Sequence, residues 1–125
     1  MNIDATEVNS NIVIIRFSSS ETTASDDKSV EFDIGNQGKF FELVETILDQ
    51  QRHHIIVDMS TVRYIDSSAL WALFEGHRKA QNQGRAFILY AINADVKRVL
   101  SITQLDAKFT IVDTQPDAIS AVPIA

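Results

Sequence analysis

The chain has 125 residues, 45% of them hydrophobic, enough material for one core and an expected single domain over residues 1–125. Its formal net charge of −6 and pI near 4.9 argue against non-specific binding to nucleic acid or to an anionic membrane, because both present negative surfaces. It has no cysteine, which excludes disulfide scaffolds, thiol catalysis and thiolate metal sites and is consistent with a reducing cytosol.

Residues 1–7 lack a basic start followed by an apolar run, so they do not read as a signal peptide. No apolar stretch has the length that spans a bilayer. The β-branched run at residues 11–17 predicts a buried strand. Residues 18–29 hold almost nothing to bury and read as an exposed polar loop. Residues 30–34 alternate apolar and acidic side chains, which predicts a short strand with one wet face.

A turn is expected at residues 35–38. Phe40, Phe41, Val44, Ile47 and Leu48 then recur at helical spacing and predict an amphipathic helix over about 39–50. Residues 55–59 read as a central strand. The next helix is expected from Ser67 to about Gln83, with Leu70, Leu73, Phe74 and His77 on one stripe and Gly84 as its stop. Residues 85–91 predict a strand, and Asn93 can cap a short helix over 94–102. A last strand at 109–112 and a last short helix at 116–122, with Pro116 in its first turn, complete the order. Alternation of this kind predicts an α/β layer with a partly parallel sheet. In such sheets function gathers where strands hand over to helices.

The most distinctive segment is residues 55–70, where a buried strand, a short loop and Asp66-Ser67-Ser68 lead into a helix. A helix start has free backbone N–H groups and the positive end of the dipole. A serine there is either a plain cap or a place where a phosphate is stabilised.

The chain resembles STAS domains, the family of bacterial anti-anti-sigma factors and of the cytosolic tails of sulfate transporters. The resemblance rests on the strand at 55–58, on Tyr64-Ile65-Asp66-Ser67-Ser68-Ala69-Leu70, and on residues 92–100 followed by Leu105 and Phe109. It implies a mixed sheet of about four to five strands with about four helices, mainly on one face. It also implies that Ser67 is a phosphoacceptor, Asp66 the helix-start acid, Ser68 the adjacent cap and Ala69 the small residue that permits close packing. The family usually carries a Gly-x-Leu-Asp turn just after the second strand. Here residues 18–29 occupy that place, so the turn is missing or moved.

The function implied is a non-enzymatic, cytoplasmic anti-sigma factor antagonist. Unphosphorylated, it binds an anti-sigma factor that is also a serine kinase; phosphorylation of Ser67 releases it, and a phosphatase resets it. The alternative within the fold is a non-switching subunit of a stress-signalling scaffold or of a lipid or anion transport system. No cofactor or metal is implied. Trp71 lies to one side of the buried stripe and is either a docking anchor or a residue packed under the 18–29 loop. Arg63 and Tyr64 line the loop before Asp66 and are either part of the same contact surface or solvated.

A nucleophilic Ser67 needs a base within reach. His53 and His54 precede the strand that ends near Ser67, which puts them at its opposite end. His77 lies more than two turns along the helix. Adjacent His53 and His54 on a strand point to opposite faces, which disfavours a metal site. The pairs Asp26-Asp27 and Asp4/Glu7 read as solvated surface.

Overall fold

In the computed structural model, residues 1–19 and 29–123 are described. Seven strands and four α-helices occur among them: β1 (Asn2–Asn9), β2 (Ile12–Ser18), β3 (Val30–Phe32), α1 (Gln37–Asp49), β4 (His54–Asp58), β5 (Val62–Ile65), α2 (Ser67–Asn82), β6 (Phe87–Tyr90), α3 (Ala94–Ile102), β7 (Thr110–Val112) and α4 (Gln115–Ala121). The expected α/β fold with helices mainly on one face is what forms. The main sheet has five strands in the order β1-β2-β4-β6-β7. The pair β1–β2 is antiparallel and the other pairs are parallel. A second, two-stranded parallel sheet joins β3 to β5.

The inner strands β2, β4 and β6 carry unbroken apolar runs at residues 12–15, 55–57 and 87–90, because both of their faces are covered there. Val13, Ile15 and Phe17 of β2, with Ile55, Val57 and Leu89, face α1, α2 and α3. Ile12, Ile14, Ile56, Ile88 and Tyr90 face the other way, where Ala118 of α4 and Val122 just beyond it cover them. On the larger side, α1 buries Phe40, Val44, Ile47 and Leu48, a stripe at i, i+4, i+7 and i+8. Against it α2 buries Ala69, Leu70, Ala72, Leu73, Gly76, His77 and Ala80. A Cβ on Gly76 would stand 3.2 Å from the Phe87 ring, so the missing side chain lets α2 sit tight on β6.

The two sheets are locked by three rings. Phe17 of the main sheet, Phe32 of the small one and Phe40 of α1 have centroids 5.0, 5.8 and 5.1 Å apart in the pairs 17–32, 17–40 and 32–40. The end of α2 is set by Gly84 at φ +69°, where Gly84 N–H donates to the Gln81 carbonyl (2.9 Å) and Arg85 N–H to the Ala80 carbonyl (2.8 Å).

Several expected boundaries move. Strands β1 and β5 were not expected. The strand expected over 30–34 stops at Phe32, because Asp33 N–H turns to the Asn36 side-chain oxygen (2.9 Å) and Gly35 N–H to Asp33 Oδ1 (2.9 Å). That turn feeds α1 two residues earlier than expected, with Gly38 inside the helix. Residues 20–28 of the expected polar loop, with Asp26 and Asp27, lie outside the described residues.

The Phe17–Phe32–Phe40 cluster yields a stability prediction. Phe40 is fully buried. Phe40→Ala should lower the unfolding free energy by about 3–5 kcal/mol, measured by urea titration.

Candidate functional site

The site grows from the turn that follows β4. Asp58 Oδ1 accepts from Ser60 N–H (2.9 Å), and the Thr61 hydroxyl donates to the Phe17 carbonyl (2.8 Å). The chain then forms β5 rather than the expected loop. Asp66 stops that strand: its N–H donates to the Phe32 carbonyl (3.1 Å) and its backbone is extended.

Asp66 is the cap of α2, not Ser67 or Ser68. Its Oδ1 accepts from Ala69 N–H at 2.9 Å. Its Oδ2 accepts from Ile34 N–H at 3.0 Å, across from the turn before α1. Ser67 and Ser68 are therefore the first two residues of the helix proper, Ser67 exposed and Ser68 half-buried. Capping by the aspartate leaves the Ser67 hydroxyl with no capping task. Ala69 is fully buried against the core, as its small size suggests.

Ser67, Ser68 and Trp71 form the wall of an open pocket of about 290 Å³ that Gln37, the first residue of α1, closes from the other side. Trp71 is 54% exposed. Its ring leans on Phe41 of α1 with centroids 5.7 Å apart. Lys79 Nζ stands 5.3 Å from the Phe41 centroid and 2.7 Å from Glu45 Oε2, so Trp71 rests on a supported ring. The packing of Trp71 under residues 20–28 concerns a segment outside the described residues.

Arg63 and Tyr64 sit on β5 and are exposed. Arg63 Nη2 pairs with Glu31 Oε1 at 3.1 Å, and Tyr64 lines a separate small apolar pocket of about 70 Å³ with Ile65, Asp95, Val96 and Val99. Neither of them lines the Ser67 pocket. Two of its neighbours escaped sequence reading. Ile34 is 73% exposed and is tied to Asp66 through its backbone, and Gln37 closes the pocket. The Asp33-x-Gly-Asn pattern was the available signal, since such residues favour side-chain-closed turns.

Each histidine has structural company away from Ser67. His54 Nδ1 accepts from Ala86 N–H at 2.9 Å. His53 Nε2 lies 3.0 Å from Glu7 Oε1, and Arg52 joins the same carboxylate at 3.4 Å, so Glu7 is paired rather than merely solvated. His77, ten residues and about 15 Å along α2 from Ser67, packs edge-on against Phe87 and Phe109. Among the described residues no histidine lines the Ser67 pocket.

The STAS domain family model matches residues 5–118. A candidate anti-sigma factor antagonist of Thermotoga maritima superposes with a TM-score of 0.77 at 27% identity, over 96% of this chain and 93% of that one. The unphosphorylated anti-sigma factor antagonist SpoIIAA superposes at 0.71 with 17% identity, over 95% and 96% of the two chains. The murine anion transporter Slc26a9 contains a similar region, at a TM-score of 0.69 and 19% identity, which spans 90% of this chain and 18% of the transporter. Among the described residues no helix is long and apolar enough to cross a membrane.

Two predictions come from this geometry. Asp66→Ala removes the cap of α2 and the acceptor of Ile34 N–H together; it should cost about 1–3 kcal/mol and speed amide exchange at Ile34 and Ala69. The second concerns pH. Burial, which disfavours the cation, lowers the pKa of both His54 and His77 from 6.5. The unfolded chain therefore takes up these protons first. Their contribution to stability is complete above about pH 6.5 and shrinks as pH falls towards their folded values. The melting temperature should drop across that window, and His77→Phe should flatten the drop.

Proposed function

The chain belongs to the STAS domain family, and from that premise we propose that it is a phosphorylation-controlled interaction switch with Ser67 as phosphoacceptor. It is an anti-sigma factor antagonist that binds an anti-sigma factor serine kinase while Ser67 is unmodified, and a phosphatase resets it. One observation carries the reading: Ser67 is the exposed first residue of α2, and its neighbour Asp66, not Ser67 itself, caps the helix. The relatives support it in kind, since SpoIIAA has been solved in an unphosphorylated and a phosphorylated form.

The physical logic follows from charge. A phosphoryl group adds about −1.5 to −2 charges at one point. In the free protein the first-turn N–H groups and the helix dipole offset part of that charge. Inside an interface the same group stands next to the fixed Asp66 carboxylate and must lose water. A penalty of about 3 kcal/mol weakens the complex roughly a hundredfold. Trp71, supported by Phe41, is the leading anchor for the kinase, and the exposed Ile34, tied to Asp66 through its backbone, is a second apolar contact. Arg63 and Tyr64 extend the surface along β5. The switch works as one domain in the cytoplasm.

The test is to incubate the chain with candidate serine kinases and ATP and to map the product by mass spectrometry. Phosphate at Ser67 is expected, and modification that persists in Ser67→Ala sinks the assignment. In titration calorimetry Ser67→Asp should bind the kinase at least about tenfold more weakly, and Trp71→Ala should lose a similar factor. Parent-like binding by Ser67→Asp removes the repulsion mechanism.

A further inference from the structure

At one edge of the main sheet, no described strand pairs with the outer side of β1. Strand β1 is the last strand in the order β1-β2-β4-β6-β7 and has eight residues. Natural edge strands are blunted by proline, charged side chains, bulges or brevity. Residues 2–9 contain no proline or lysine; the charges of β1 are Asp4 and Glu7, and its one irregularity falls between Glu7 and Asn9.

The backbone directions of β1 follow from its neighbours. His54 N–H donates to the Asn11 carbonyl, and Ile12 is the register partner of His54. In a parallel pair that arrangement turns the backbone groups of Asn11, Val13, Ile15 and Phe17 towards β4, and those of Ile12, Ile14, Arg16 and Ser18 towards β1. In the antiparallel pair Asn2 is opposite Ser18, Asp4 opposite Arg16 and Thr6 opposite Ile14. Asn2, Asp4 and Thr6 thus spend their backbone groups on β2. Ile3, Ala5 and Glu7 turn one N–H and one C=O each away from the sheet, six groups in all.

These three residues are symmetric about Ala5. We propose that β1 is a homodimer edge, on which a second copy of this chain pairs antiparallel about a two-fold axis through Ala5. In that register Ala5 faces its own copy and Ile3 faces the second copy's Glu7. All six outward groups are bonded, whereas shifting the axis to Thr6 would leave those of Ile3 opposite the irregular end near Asn9.

The side chains agree with the register. Asp4 stands opposite the second copy's Thr6, a hydroxyl within reach of a carboxylate, so no like charges are directly opposed. Beside the edge, α1 overhangs an open cleft of about 360 Å³ lined by Asn2, Ile3, Asp4, Lys39, Glu42, Leu43 and Thr46. The second copy's Glu7, opposite Ile3, comes to the side of the sheet that bears Lys39 while held by its own His53 (3.0 Å) and Arg52 (3.4 Å), so its meeting with Lys39, which has Glu42 beside it, is a rim contact to an already paired carboxylate and the register rests on the backbone. An axis between Ala5 and Thr6 would instead oppose Asp4 to Glu7 twice.

Sedimentation equilibrium from about 1 to about 100 µM tests the proposal, a range set by the affinity expected of one strand pair and its rim. The expected result is a rise from the 14.0 kDa chain mass towards twice that mass. Ala5→Pro deletes an outward N–H while leaving the bonds to β2, so it should hold the chain monomeric with an unchanged circular dichroism spectrum. Should that variant fail to fold, Thr6→Asp serves: it sets two acids against Asp4 across the axis and should weaken the dimer about tenfold or more. A dimer indifferent to Thr6→Asp overturns the proposal. So does a chain that stays monomeric throughout, which would leave the edge to a strand of another protein or to none.

Discussion

The arrangement around Ser67 depends on one carboxylate. Asp66 accepts from the Ala69 N–H of its own helix and from the Ile34 N–H of the turn before α1, at 2.9 and 3.0 Å. One side chain thereby starts α2, fixes the turn of residues 33–36 and brings the first residues of two helices to opposite sides of one pocket. The bonds are local in space but 32 residues apart in sequence on the Ile34 side. Because the carboxylate is held at both oxygens, its negative charge is fixed beside Ser67. A mobile acid could swing away from a phosphate; this one is restrained from doing so.

The rest of the fold serves to hold that carboxylate still. The Phe17–Phe32–Phe40 cluster fastens the small β3–β5 sheet to the main sheet and to α1. Thr61 ties the turn before β5 to β2, and Asn93 donates to the Val62 carbonyl at 2.8 Å while capping α3 through Val96 N–H. The start of β5 is thus pinned twice, and its far end is held where Asp66 N–H donates to the Phe32 carbonyl (3.1 Å). On the other face of the main sheet, Gln115 of α4 accepts from Arg16 (3.1 Å) and from the Tyr90 hydroxyl (3.2 Å), a polar seam away from Ser67. The α2 start is shaped by side chains, and the β1 edge is shaped by backbone.

Much of this was legible in the residues. The strands β2, β4 and β6 were readable because burial on both faces demands an unbroken apolar run. The helices α1 and α2 were readable because one buried stripe imposes a 3.6-residue period. Strand β1 was not, because an edge strand of a half-covered sheet has almost nothing to bury: seven of its eight residues are exposed. Strand β5 was not, because only Val62 and Ile65 of its four residues face inward, too few to set a period of two. Arg63 and Tyr64 were consequently taken for loop residues.

By itself, then, the sequence determined the α/β class, the helix that begins at Ser67 and the isolation of the histidines from the serine, since each depends on residue type and short spacing. Tertiary structure alone decided that Trp71 is exposed, that Asp66 rather than a serine caps α2 and also holds Ile34 N–H, that Gln37 joins the pocket, and that Ile3, Ala5 and Glu7 turn their backbone outward. The physical reason is that each depends on which distant segments meet: the turn before α1 comes against the α2 start across 32 residues of chain, and the outward groups of β1 follow from strand register, neither of which one-dimensional patterning encodes.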